Sequence, residues 1–355
     1  MELKGWRLRL PLVTPYRLAF GPVTHLDTVI VRWVSREGME GFGEATLLTG
    51  YTDETIEGTW AKAQELSRAV RSASFDLEGA LDSLLPTHPF LVTAFRTARE
   101  MAEGSELLSL EAPARVPILG LLQGEGEGAL RAAADALVAN GYRTVKFKVG
   151  FDPARDAAAV ALAQRVVAGR ARIRVDANQG YSAAEAIDFV SRLSPEGIEL
   201  FEQPCDKEDW AAHAAVAPVA RDRGIPLMLD ESIYSEREIE RAAREGLAAF
   251  IKVKLMKFGT LAALRAAIRR IRELGLVPVL GNGVATDLGC WMEACIAARE
   301  IDNAGEMNGF LKPRERVLAE PLVFRDGAIE IPARWTPGVR PLGPLCCSAA
   351  TDQVV

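Results

Sequence analysis

One strand-and-helix unit recurs from Val116 onward, and it limits what this chain can fold into more than any other feature. Short apolar runs at Pro117–Leu122, Thr144–Val149, Arg172–Asp176, Ile198–Glu202, Pro226–Asp230, Phe250–Lys254, Val277–Leu280 and Ile301–Glu306 read as strands. Between them lie alanine-rich stretches with helical spacing, such as Pro153–Ala168, Ala183–Leu193 and Leu261–Leu274. The polar residues closing four successive runs, Asp176, Glu202, Asp230 and Lys254, stand 26, 28 and 24 residues apart. Eight units of such even size predict an α/β fold, a (β/α)8 TIM-type barrel over residues 116–325.

The 355 residues leave room for a second module. Residues 1 to about 50 look β-rich: Thr28–Val34 alternates, Glu37–Gly38 breaks the run, and Glu40–Ala45 resumes it, as a hairpin or meander would. Thr55–Val70 and Leu91–Ala102 then carry helical periodicity. Strands followed by helices predict a separate N-terminal α+β module over residues 1–115. Residues 326–355 are expected to pack back on it as a C-terminal segment, with the tail after Gly343 poorly ordered or part of that packing.

Charge and rare residues remove several functions. With 42 Lys and Arg against 48 Asp and Glu, the net charge of −6 argues against nucleic-acid binding. Met1–Arg9 lacks the pattern of a signal peptide, and no apolar run is long enough to span a bilayer, so no membrane partner and a cytoplasmic location are expected. The five cysteines (Cys205, Cys290, Cys295, Cys346 and Cys347) fit no zinc spacing and read as reduced thiols. The three histidines, His25, His88 and His213, are far apart, which argues against a histidine metal site or a Ser-His-Asp triad. His25, alone in a loop, is expected at the surface.

Barrel active sites sit at the C-terminal ends of the strands, and here three successive strands end in a carboxylate: Asp176, Glu202 and Asp230. A carboxylate closing a buried strand is costly unless it is paired or on a metal, and three at one height repel each other. A hard divalent cation such as Mg²⁺ removes that cost; three helix N-caps or salt-bridge partners are the plainer alternative. Two strands carry lysines two residues apart, Lys146 with Lys148 and Lys252 with Lys254, so each pair shares a face. These are the second and sixth strands, which in an eight-stranded barrel stand opposite each other. Lys148 and Lys254 are the members nearest the mouth. A metal flanked by opposed lysines suits removal of a proton next to a carboxylate: the cation opposes the developing charge, and a desolvated lysine beside another cation makes a base.

In combination, Lys146-Phe147-Lys148, Asp176-Ala177-Asn178, Glu202-Gln203-Pro204, Asp230-Glu231-Ser232 and the run Val253–Gly259 resemble the enolase superfamily, in its muconate-lactonizing-enzyme subgroup. The likeness includes the N-terminal module, which it implies is a capping domain (Thr28–Val34 and the GFGEA stretch at Gly41–Ala45), and the barrel through Leu322. It implies Asp176, Glu202 and Asp230 as ligands of Mg²⁺ (or Mn²⁺), and Lys148 and Lys254 as the acid/base pair. Lys146 would bind the substrate carboxylate and lower the pKa of Lys148. Asn178 and Glu231 would orient the ligands, and Asn282, Glu306 and Asn308 would touch substrate. Lys254 is preferred to Lys257 because it continues the strand alternation, whereas Lys257 falls in the loop. The mandelate-racemase branch places a histidine at the seventh strand end, where this chain reads Gly281-Asn282-Gly283.

The resemblance thus implies a metal-dependent isomerase that forms an enolate from a small-molecule carboxylate: a racemase or epimerase of an amino-acid derivative, or a cycloisomerase. A lyase or dehydratase, o-succinylbenzoate synthase included, could use the same site, and a non-catalytic metal-stabilised barrel is the remote alternative. Dipeptide epimerases of the subgroup carry two aspartates, one residue apart, at the eighth strand end, where Glu306 and Asn308 stand here. The candidate substrate-covering loops are Arg17–His25 and Leu47–Thr52. One sequence leaves homo-oligomer formation open.

Overall fold

In the computed structural model, which describes residues 2–18, 21–47, 54–72 and 74–343, the chain opens with an antiparallel meander. It consists of β1 (Glu2–Leu18), β2 (Gly21–Val34) and β3 (Glu40–Leu47), in that order. Three helices follow: α1 (Ile56–Ala69), α2 (Leu77–Leu84) and α3 (Pro89–Ala102). Val29, Val31 and Ala45 from the sheet and Phe90, Leu91 and Phe95 from α3 form its core. The glycines of the GFGEA stretch let α3 lie directly on β3. A Cβ on Gly41 would strike the Ala98 carbonyl, and one on Gly43 the Ala94 carbonyl.

The barrel strands are β5 (Gly120–Leu121), β6 (Thr144–Lys148), β7 (Arg172–Asp176), β8 (Ile198–Glu202), β9 (Leu227–Leu229), β10 (Phe250–Val253) and β11 (Val277–Leu280). They form one parallel sheet in chain order. The helices α4 (Gly126–Ala139), α5 (Pro153–Val167), α6 (Ala183–Arg192), α7 (Trp210–Asp222), α8 (Glu236–Arg244), α10 (Leu261–Glu273) and α11 (Asp287–Glu300) alternate with them, and the one-turn helix α9 (Leu255–Phe258) follows β10. Local chemistry sets the helix starts. Asp152 accepts from Arg155 N at 2.7 Å ahead of Pro153, and Ser182 and Glu185 form a reciprocal capping box.

Two expected strands differ. Pro117–Leu122 is not one run: β4 (Ala114–Pro117) pairs antiparallel with β13 (Ala328–Ile331), itself paired with β12 (Val323–Arg325), and only Gly120–Leu121 forms a strand paired with β6. Ile301–Glu306 is not a strand either. A single parallel bridge, Ile118 to Gly305, closes the barrel, with Gly305 N on Pro117 O, Leu119 N on Gly305 O and Glu306 N on Leu280 O, each at 2.9 Å. Ahead of it, the Asn303 side chain rather than a backbone amide donates to Pro278 O at 2.9 Å.

Of the expected covering loops, residues 19–20 and 48–53 lie outside the described residues, as does the tail 344–355. Among the described residues no helix is long and apolar enough to cross a membrane.

The capping domain is fastened to the barrel by two of its carboxylates. Glu44 on β3 accepts from Thr286 N at 2.9 Å, Gly289 N at 3.0 Å and the Thr286 hydroxyl, at the start of α11. Glu100 on α3 accepts from Leu261 N at 2.8 Å and Ala262 N at 3.3 Å, at the start of α10. Each charge sits on a helix N-terminus, where unpaired backbone N–H groups point outward.

Candidate active site

The register of the parallel strands places the polar residues. Lys148 pairs with Asp176 across β6 and β7, and Asp176 with Glu202 across β7 and β8; Glu202 pairs with Met228, two residues before Asp230. Alternation turns Lys146, Asp176, Glu202, Asp230, Lys252 and Lys254 into the barrel, each at most 2% exposed. Such charges are tolerable in a barrel interior only because they meet each other.

Lys146 Nζ lies 3.0 Å from Asp176, 2.8 Å from Glu202 and 2.7 Å from Glu306. Lys252 Nζ lies 2.9 Å from Glu202 and also contacts Glu306. Lys148 Nζ donates to Asp176 Oδ2 at 2.7 Å and to Asn178 Oδ1. On the far side, Lys254 Nζ donates to Asp230 Oδ2 at 2.7 Å, while Lys257 Nζ donates to Asp230 O at 2.6 Å and contacts Oδ1 at 3.1 Å.

The expectation that Lys257 lies in a loop is therefore corrected. It sits on α9, is buried, and stands 4.6 Å from the Tyr234 ring centroid. Its spacing of three from Lys254 is one helical turn, so α9 folds it back onto the same carboxylate. Asp230 thus serves several ammonium groups at once.

These surroundings set the charges. Burial pushes the Lys254 ammonium down, and neighbouring Lys257 pushes the same way, so its pKa falls well below the ordinary lysine value. Burial also works against the Lys146 ammonium, but Asp176, Glu202 and Glu306 outweigh it and hold its pKa well above that value. Glu202 is raised by burial and by Asp176. Glu231, raised by burial and then by Asp230, Asp176 and Glu202, reaches about 8. Asn178 joins the two sides: its backbone N–H donates to Asp176 Oδ1 at 3.0 Å and its amide to Glu231 Oε1 at 2.9 Å. Its φ of 43° is left-handed, a conformation asparagine tolerates better than most residues.

Among the described residues no group of three or more His, Cys, Asp or Glu side chains is arranged to hold a metal ion, because lysine ammonium groups lie between the carboxylates. The donor set nonetheless suits a hard divalent cation. It consists of carboxylate oxygens on three adjacent strand ends, and the carboxylate of Glu202 is penalised by burial and by Asp176. Asp176, Glu202 and Asp230 would hold such an ion.

Other expected residues have diverse fates. Glu306 joins the cluster through both Lys146 and Lys252, and Asn308 donates its amide to Leu119 O at 3.1 Å. Asn282 instead turns its amide to Met256 Sδ, 3.0 Å away, and lines a cavity of about 30 Å³ at the seam with Glu44, Thr97 and Glu293. His25 finds its partners on the capping sheet, in Arg9 and Asp27.

Three further residues had been given no role. Lys252 had a signal, its alternation with Lys254. Gln203 ties the loops after β8 and β9 together: its Oε1 accepts from Asp230 N at 2.9 Å, and its Nε2 donates to Ser232 Oγ at 2.8 Å. Glu293 on α11 accepts from Leu255 N at 2.8 Å, directly after Lys254, and had no local signal.

Residues 129–339, more than half of the chain, match the enolase C-terminal domain-like family. The chain belongs to that family. A hydrophobic dipeptide epimerase of Citrifermentans bemidjiense is 29% identical over 82% of this chain and 81% of the relative. An aromatic dipeptide epimerase of Herpetosiphon aurantiacus is 31% identical over 82% and 84%. The crystal structure of a dipeptide epimerase from Cytophaga hutchinsonii, complexed with Mg and the dipeptide D-Ala-L-Val, superposes with a TM-score of 0.83 at 20% identity, over 95% of each chain. This family member is an isomerase of the enolase superfamily with a TIM-barrel fold and an N-terminal capping domain.

Proposed function

We propose that this isomerase removes and returns the proton α to a substrate carboxylate, using Lys148 and Lys254, and so racemises or epimerises an amino-acid derivative. The observation that carries the reading is the placement of these two lysines. They stand on strand ends four apart in the sheet order, on opposite sides of a ring of buried carboxylates. A carbon held between them loses a proton to one lysine and gains one from the other on the opposite face, which inverts its configuration.

Burial and Lys257 favour the neutral, proton-accepting form of Lys254. Asn178 holds Lys148 through a hydrogen bond to its ammonium. Lys146 and Lys252 keep positive charge beneath the mouth, suited to an anionic substrate. Asp176, Glu202 and Asp230 would hold Mg²⁺, which would supply further positive charge to a substrate carboxylate that gains negative charge. Glu231 and Asn178 orient that set from outside.

The test is exchange in D₂O. Incubated with Mg²⁺ and a library of N-acyl amino acids, dipeptides and muconate-like acids, the protein should wash deuterium into the α-position of one class, read by NMR. Lys148→Ala and Lys254→Ala should each lose exchange from one enantiomer. Asp230→Asn should weaken Mg²⁺ binding by at least about 10–100-fold, the usual effect of losing even an outer partner of a ligand. A product lighter by one water would move the reading to a lyase, and wild-type turnover in both lysine variants would end it.

A further inference from the structure

The two lysines of the pair are held in place by different means. Lys148 stands inside β6 in register with Asp176 on β7, and Val149 N donates to Asp176 O at 2.9 Å just beyond it. Ladder pairing through a residue fixes its Cα. Lys254 lies past the paired part of its strand: the pairing of β10 with β11 ends at Val253 and Leu280, and Lys254 leads from there into α9. Four residues make about one turn, too little for a helix to hold itself. Contacts from outside must therefore set where α9 starts, and with it the Cα of Lys254.

Several holds touch α9, and they are unequal. Thr93 Oγ on α3 donates to Met256 O at 3.2 Å, but the same hydroxyl is closer to Pro89 O in its own helix, at 2.7 Å. The Met256 side chain is buried in the capping core, as an unbranched thioether that adapts to its surroundings. Glu100 holds Leu261 N, but Gly259, left-handed at φ 79°, stands between that anchor and α9. Lys257 reaches Asp230 at the end of a flexible stem. The direct hold is Glu293. Its Oε1 accepts from Leu255 N at 2.8 Å, one peptide unit after Lys254.

Packing does not substitute for that bond. Leu255, Met256, Asn282 and Glu293 line the seam cavity of about 30 Å³, which has room for about one water. A side chain beside a void lacks dispersion contacts on that flank, so a released α9 could shift toward it at little cost. Glu293 is the fixed partner of the two. It is 2% exposed, on a helix buried along nearly all of its length and tied at its start by Glu44.

We propose that Glu293 is the positioning residue for Lys254: by holding Leu255 N it fixes the point where the chain leaves β10, so one of the two proton transfers depends on it and the other does not. This rests on the proton-transfer reading above. It gives a carboxylate on an outer helix of the barrel a part in one half of the reaction only.

The test is α-proton exchange in D₂O by the Mg²⁺-loaded enzyme. The probes are both epimers of L-alanyl-phenylalanine at the phenylalanine carbon and both enantiomers of N-succinyl-phenylalanine. Lys254→Ala identifies the member of each pair that Lys254 serves. Glu293→Leu should slow exchange from that member at least about tenfold, through kcat rather than KM, because a displacement of about 1 Å can cost 10²-fold. Exchange from the other member should be nearly unchanged. Mg²⁺ binding should be too, since Asp230 N has its own hold on Gln203. Glu293→Gln keeps an acceptor and should recover most of the loss. Glu293→Asp keeps a buried carboxylate with a shorter reach; it should show a smaller loss on the same side, and it carries the test if Glu293→Leu does not fold. Hydrogen exchange at the Leu255 amide, read by NMR, should quicken in step with these losses. Equal slowing of both members overturns the proposal, and so does wild-type turnover with an unprotected Leu255 amide. A wild type that exchanges no probe, with Leu255 losing protection in Glu293→Leu, would uphold the hold on α9 and overturn the proton-transfer reading instead.

Discussion

Buried carboxylates occur in two regions of this molecule, and the two treat them differently. At the barrel mouth Asp176, Glu202, Asp230 and Glu306 face lysine ammonium groups at 2.7–3.0 Å. In the capping domain and along its seam with the barrel, Glu44, Glu54, Glu100 and Glu293 instead accept backbone N–H groups, chiefly at helix starts. The protonation states divide only in part, since burial and Asp176 raise Glu202 at the mouth as well. Despite burial, the lysines hold Glu306 well below the usual carboxylate range. Burial raises the seam carboxylates, with Glu54 and Glu293 each reaching about 7. Paired charge makes a site that can move protons and bind anions, whereas a carboxylate on backbone donors fastens one element to another.

The widest separation between the regions should come from Lys148→Ala and Lys254→Ala. Losing a general acid or base costs about 10²–10⁴-fold in rate. Because lysines and carboxylates at the mouth are shared several ways, removal of one leaves Asp176 with Lys146 and Asp230 with Lys257. Thermal unfolding should therefore change far less than turnover. A variant that loses stability in proportion to activity would show the mouth to be a structural network after all.

Glu44→Ala should behave in the opposite way. It strips four donors, Thr286 N, Thr286 Oγ and Gly289 N across the seam and Thr46 Oγ on its own strand, of a shared buried acceptor. An abandoned buried donor costs about 1–3 kcal/mol, and water entering the space offsets part of the sum, so a loss of about 2–4 kcal/mol is expected by denaturant unfolding. Metal binding at the mouth should be nearly unchanged. If Mg²⁺ affinity fell as much as stability, the seam and the mouth would not be separable.

The two regions also differed in how far the sequence revealed them. The mouth was legible because strand alternation and even spacing are local patterns: Lys146-Phe147-Lys148 and three strand-closing carboxylates needed no knowledge of the fold. The seam was not. Glu44 acts 242 positions away on Thr286, and Glu100 acts 161 positions away on Leu261; nothing near either residue announces its partner. Lys257 was misplaced because a four-residue helix is too short to show a period. The eighth strand was overread, since closure needs only Gly305, and the apolar residues at Ile301 and Ala304 imitate a longer run.

The mildest test of the contrast is pH. Glu54 accepts from Phe90 N at 2.8 Å and Leu91 N at 3.4 Å, at the start of α3, and from the Thr59 hydroxyl at 3.3 Å. Burial raises its pKa from 4.5 to about 7 against those donors. The sign follows from proton counting. Below the unfolded value of 4.5 both states are protonated and the contribution is full; between 4.5 and about 7 the folded state binds more protons, so stability falls as pH rises. Above the folded value the contribution is gone. Each tenfold difference in proton affinity between the folded and unfolded carboxyl is worth roughly 1.4 kcal/mol, so at most about 3–4 kcal/mol is at stake. Glu54→Gln is neutral throughout and keeps an acceptor. Its Tm relative to wild type should therefore rise steadily from pH 4.5 to 7 and level off above, while groups that titrate in both proteins cancel from the difference. A flat difference would mean that Glu54 stays ionised on its backbone donors. The helix start would then stabilise the anion better than burial opposes it, and the contrast with the lysine-paired mouth would narrow to one of partners rather than of charge.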